Sequence, residues 1–237
     1  MGKVFFNFPI TLLKPAFIDI RQVCNDIMDY AIYMHGKKLI GDPIKRMEDA
    51  AGYFGIDLGD VDNSLENARI LYKTNSNKSA MTGINKDLLF EYYKNYKTDS
   101  EIAVLLAFLA LKSILGKKSY CRITSDFLLC RMAGYTSKKE MNVLPEDLKK
   151  YRTRWNMDSL KRELKNSFGL KIYGRHTRGF FVSFNLSDEQ LIKEVEMKRK
   201  KYIEKIQKDE QSKAVKKVLM ELYSSTEQDF EQDFERC

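Results

Sequence analysis

The residues best placed to do chemistry are cations set at helical spacing. Asp158, Lys161, Arg162 and Lys165 fall at i, i+3, i+4 and i+7, one face of a helix. Arg154 and Asn156 lie just ahead of them, and Arg175, His176 and Arg178 crowd a short Gly-bounded segment further on. Ammonium, guanidinium and amide groups in this arrangement are donors, so the chemistry they suit is the holding of anions: phosphate oxygens and the acceptor edges of bases. Lys161 and Arg162 are expected at base edges, with Arg154 and Asn156 beside them. Lys165 is expected on phosphate, and Arg175, His176 and Arg178 are expected to straddle the backbone or enter a minor groove.

Catalytic and metal chemistry have little to work with. The chain holds two histidines, His35 and His176, and neither has a Ser or Cys near it that would form a nucleophile pair. Gly116-Lys117-Lys118-Ser119 has the end of a phosphate-binding loop, but Leu111 stands where its first glycine must be. Asp57, Asp60, Asp62 and Glu66 lack the spacing and the glycine of a calcium loop. Cys24, Cys121, Cys130 and Cys237 have no metal-type spacing, and the first three sit in apolar patterns, as in a reduced, cytoplasmic protein. A non-enzymatic protein with no metal and no cofactor is expected. A tyrosine nucleophile for strand transfer stays open among 13 tyrosines, though relaxase chemistry would call for more histidines than the chain has.

The elements that must position the cations read as follows. Ser100 to Leu115, capped by Asp99 or Ser100, is a helix apolar nearly all round through Ile102–Leu111, and such a helix is buried. Tyr120–Ile123 is a short strand, and Thr124 caps a helix from Ser125 to about Ala133. Pro145–Tyr151 is read as an extra helical turn within a long connection, residues 135–152. A third helix starts near Asn156, with Trp155 and Leu160 as a hydrophobic staple and Thr153 as a rival cap. Met157, Leu160, Leu164 and Phe168 form its apolar face. Leu170–Tyr173 and Phe180–Phe184 flank the Arg/His loop as a hairpin. Helix, strand, helix, helix, hairpin is the winged helix-turn-helix order.

The run Tyr151–Asn166 and the Thr177-Arg178-Gly179-Phe180-Phe181 turn resemble the winged-helix domains of plasmid and phage replication initiators and related mobile-element proteins. The resemblance covers about a third of the chain, residues 100–185. It implies sequence-specific binding of double-stranded DNA, in replication initiation or transcription control. Charge agrees with a phosphate-facing module. Residues 100–185 hold 17 Lys/Arg against 7 Asp/Glu, whereas residues 1–99 hold 13 of each and residues 186–237 hold 11 against 13.

The remaining segments read as support. Residues 4–13 look like an extended arm, Pro15 opens a helix ending at Gly36, and Asp42-Pro43 opens another ending at Gly55. Met47–Leu71 also has a helix-turn-helix look, but its second helix is acidic and would repel phosphate, so a structural pair is the better account. Residues 73–83 read as a loop, and Asn85 caps a helix to Tyr96. Ser187 and Gln190 suit a capping box for a long helix reaching Leu222 or Tyr223, either two docked pieces or a homodimer contact. The acidic end, residues 224–237, is expected to be disordered. No apolar run approaches bilayer length, and Asn7, Pro9 and Lys14 break the pattern a secretory leader needs. The expected fold is therefore mainly α: a helical N-terminal part (1–99) packed on a winged helix-turn-helix with a small β-hairpin wing (100–185), then a long C-terminal helix (186–223). A protein–protein adaptor on the same fold, without DNA binding, is the alternative.

Overall fold

A computed structural model describes residues 4–75, 79–174 and 179–234, and it is mainly helical with two small antiparallel sheets. Residues 1–187 form one compact unit and residues 188–237 a second.

The first unit opens on β1 (Phe5–Pro9), which pairs antiparallel with β2 (Met81–Asn85) in the register Phe6 to Ile84 and Phe8 to Thr82. A 3-10 turn, Ile10–Leu13, follows β1. Four helices complete this part: α1 (Ile20–Gly36), α2 (Pro43–Phe54), α3 (Val61–Asn75) and α4 (Lys86–Lys94). α1 packs on all three of the others and on β1. It starts five residues after Pro15, because Asp19 is the residue whose carboxylate accepts the Gln22 backbone N–H, at 2.9 Å. In the acidic cluster ahead of α3, Asp60 caps the helix, accepting from Asn63 N at 3.0 Å, and Asp57 closes the preceding turn, accepting from Gly59 N at 3.1 Å. Of the segment expected as a loop over 73–83, residues 73–75 end α3 and residues 81–83 begin β2, while residues 76–78 lie outside the described residues. Met-Thr-Gly-Ile-Asn carries little strand propensity, and its pairing partner lies far away at the start of the chain.

α5 (Asp99–Leu115) is the spine. Thr98 and Glu101 form its capping box, so the cap is one residue ahead of Asp99 and two ahead of Ser100, the caps expected from the sequence. Leu109, Ala110 and Leu111 are fully buried, as an all-round apolar helix requires. It contacts β2 and the Ile10–Leu13 turn on one side and the later helices on the other. Two hydrogen bonds join it to the first sheet: Thr82 Oγ1 to the Leu109 carbonyl at 2.9 Å and Lys112 Nζ to the Gly83 carbonyl at 2.6 Å. The boundary drawn at residue 99 thus falls inside one core, because α5 needs cover on both sides.

Then come β3 (Cys121–Ile123), α6 (Ser125–Met132), a 3-10 turn at Lys138–Val143, α7 (Glu146–Lys149), a further 3-10 turn at Lys150–Arg152, and α8 (Arg154–Phe168). β4 (Lys171–Tyr173) and β5 (Phe180–Ser183) close the unit, with strand order β3-β5-β4, all antiparallel. Cys121 faces Val182 and Arg122 faces Phe181. Gly179, ahead of β5, has φ +107°, and a Cβ there would lie 2.4 Å from the Ile123 carbonyl oxygen. Only glycine admits that approach.

The second unit is α9 (Asp188–Phe234), a single helix of 47 residues, about 70 Å long at 1.5 Å per residue. It runs unbroken through the polar stretch Asp209–Lys213 and into the acidic end that was read as disordered. No glycine or proline occurs after Gly179, so nothing in that sequence stops a helix. Among the described residues no helix is long and apolar enough to cross a membrane.

Candidate nucleic-acid interface

α8 presents the cationic face, and its own sequence sets the orientation. Thr153 Oγ1 accepts the Asn156 backbone N–H at 3.4 Å, so Thr153 is the cap and Arg154 the first helical residue. Met157, Leu160 and Leu164 are buried. Phe168 stacks on Phe108 of α5, with ring centroids 4.0 Å apart and planes 10° from parallel. Gly169 stops the helix in the left-handed region. With that side fixed to the core, the opposite side must face solvent.

The long connection ahead of α8 is held rather than loose. Leu144, Leu148 and Tyr151 are buried at i, i+4 and i+7, so α7 and its flanking turn carry their own apolar stripe into the core. Their other side exposes Lys149, Lys150 and Arg152. Lys149 pairs with Glu146. These cations were not singled out in the sequence reading. The signal was present as a basic run placed between buried positions of a helical turn.

The expected contacts divide into three groups. Arg162 and Lys165 are exposed on α8 and paired with no acid among the described residues. Arg154, Asn156 and Lys161 have partners within the protein. Asp158 holds Arg154 at 3.7 Å and Lys161 at 3.2 Å. Lys161 also lies over the Phe180 ring, 4.4 Å from its centroid, which ties α8 to β5. Asn156 Nδ2 donates to the Lys150 carbonyl at 2.8 Å, so its amide closes the preceding turn. Arg175, His176 and Arg178 lie outside the described residues.

Not every cation of residues 100–185 is on the surface. Arg131 is 7% exposed, stands 5.2 Å from the Phe127 ring centroid, and has Nε and Nη1 without a hydrogen-bond partner among the described residues. Burial pulls its pKa down. Burial also lowers the pKa of Lys112, whose ammonium sits between Phe5 and Phe108.

His35 stacks on Tyr53, ring centroids 4.3 Å apart, and Gly116 is the C-cap of α5. Among the described residues no group of three His, Cys, Asp or Glu is placed to hold a metal. Among the described residues Cys24, Cys121 and Cys130 form no disulfide. Comparison of the chain with protein-family models, with curated proteins and with solved structures finds no match.

Proposed function

We propose that residues 100–185 are a winged helix-turn-helix that binds double-stranded DNA, with α8 in the major groove and the β4–β5 hairpin on the adjacent backbone. The observation that carries this reading is the order α5-β3-α6-α7-α8-β4-β5, with the short α7 inserted ahead of α8 and β5 central in its sheet, joined to a solvent face on α8 that holds Arg154, Arg162 and Lys165. A helix and a hairpin side by side offer two prongs to a duplex. Arg162 serves base edges, while Lys165, Arg154 and the cations Lys150 and Arg152 serve phosphates. Lys161 and Asn156 orient the helix and its approach, and Arg175, His176 and Arg178, outside the described residues, are proposed from the sequence as contacts to the backbone or a minor groove. No catalytic step is assigned. Replication initiation or transcription control of a mobile element is the process that the sequence resemblance suggests, and α9 is the proposed homodimer contact.

An adaptor role has one observation in its favour: a carboxylate, Asp158, stands on the cationic face and neutralises part of it. Selection from random duplexes separates the two readings. A DNA-binding protein enriches a motif, and its affinity falls steeply with salt, by a log–log slope of about −0.9 per phosphate engaged. No enrichment together with no binding at low salt would leave the adaptor.

A further inference from the structure

Trp155 is the only tryptophan of the chain, and it is 81% exposed in the first turn of α8. The staple read from the sequence would have packed it toward Leu160. The cap at Thr153 instead makes Trp155 the second helical residue and turns it outward. Its position on the helix is informative. At 100° per residue, Met157, Leu160 and Leu164 define the core side. The line directly opposite is Trp155, Ser159, Arg162 and Asn166, at i, i+4, i+7 and i+11. Arg154, Asp158 and Lys165 flank that line on one side and Glu163 flanks it on the other.

A helix lying in a groove sends its outermost line toward the base edges and its flanks toward the two backbones. A large indole left in water at the outermost position is an anchor without its partner, since tryptophan is rich among residues that carry interface energy. Arg154, Arg162 and Lys165, with Lys150 and Arg152 beside them, outnumber Asp158 and Glu163 on and next to this face, so the partner is an anionic one and the apolar feature Trp155 meets must belong to a polyanion. In the major groove that feature is the C5-methyl of thymine.

We propose that Trp155 and Arg162 are the base-reading pair, Trp155 packing on thymine methyl groups and Arg162 donating to guanine N7 and O6. The assignment rests on the DNA-binding reading above. Seven residues of helix rise about 10 Å, and base pairs are spaced about 3.4 Å along the duplex. The thymine contact and the guanine contact therefore fall about three base steps apart.

The test uses the full chain and the duplex that it selects from a random pool. Thymines of that duplex are replaced by deoxyuridine, which removes only the methyl. The expected loss for the unaltered protein is about fourfold per contacted methyl, with Trp155 emission changing on binding. W155A should bind the thymine and uracil duplexes equally, and R162A should lose the preference for guanine about three steps away. Because both side chains are exposed, thermal melts of the two variants should match that of the unaltered protein. Retention of the uracil penalty in W155A, with duplex binding intact, overturns this assignment alone. Absence of any duplex binding by the unaltered protein overturns the DNA-binding reading and this assignment with it.

Discussion

Replacing Asp158 by Asn should tighten binding to a random-sequence duplex. Its carboxylate is about half exposed and holds Arg154, whose side chain is 96% exposed, and Lys161, whose side chain is 21% exposed. Asn keeps the shape, removes a charge that repels phosphate, and frees Arg154 and Lys161 from their ion pairs. Each cation that then engages a phosphate steepens the log–log salt dependence by about 0.9, which near 0.1 M salt corresponds to about eightfold in affinity. The gain therefore lies between about eightfold for one cation and about sixtyfold for both. The cost in stability is small, because an exposed ion pair contributes about 0 to 1 kcal/mol. The assay is fluorescence anisotropy of a labelled random duplex titrated with D158N and with the unaltered protein from 50 to 300 mM salt, about the range over which phosphate contacts are read. A random duplex matters here, because a carboxylate can also accept from cytosine N4 in a specific site. Equal affinity and equal slope for the two proteins would refute the placement of α8 against phosphate. Weaker binding by D158N, with an unchanged melting temperature, would refute the view that Asp158 opposes the duplex.

Two further outcomes test the scaffold. Gly179→Ala would place a methyl 2.4 Å from the Ile123 carbonyl at φ +107°, so it should cost about 2 kcal/mol or more in a urea melt; an unaltered midpoint would contradict the close approach of β3 and the turn into β5. Burial pushes the Cys24 thiol up to about 12 and the Cys121 thiol up to about 11, so at pH 8 both are protonated and should resist alkylation in the folded protein; rapid labelling of Cys24 in native buffer, read by peptide mass, would contradict the packing of α1.

The parts of the fold legible in the sequence are those whose signals are local. Thr124 ahead of α6, Asn85 ahead of α4 and Gly169 after α8 sit within a turn of the groups they satisfy, and those boundaries follow from capping chemistry. The all-apolar run of α5 likewise announces its own burial. β2 is different, since its reason to be a strand is Phe5–Pro9, which no local pattern near Met81 reveals. α9 continues past the expected stop because an acidic, weakly apolar sequence with no breaker satisfies its backbone as a helix.

The candidate interface shows the same division in electrostatic form. Spacing alone placed Lys161, Arg162 and Lys165 on one face; Arg162 and Lys165 are exposed on α8, whereas Lys161 is half-buried over the Phe180 ring. What spacing does not disclose is which charges are already engaged by the protein. Lys161 sits between Asp158 and Phe180, the Asn156 amide closes on the Lys150 carbonyl, and Arg131 is drawn into the core. The Lys161–Asp158 pair is local, at i, i+3, but the Phe180 ring, the Lys150 carbonyl and the core around Arg131 are supplied by tertiary packing or by the true start of the helix at Thr153. That start also decides the fate of Trp155. With a cap at Asn156 the indole would lie outside the helix as one half of a staple, whereas with the cap at Thr153 it becomes the outermost side chain of the exposed face. A shift of three residues in one N-cap therefore turns a packing residue into a candidate for contact with DNA.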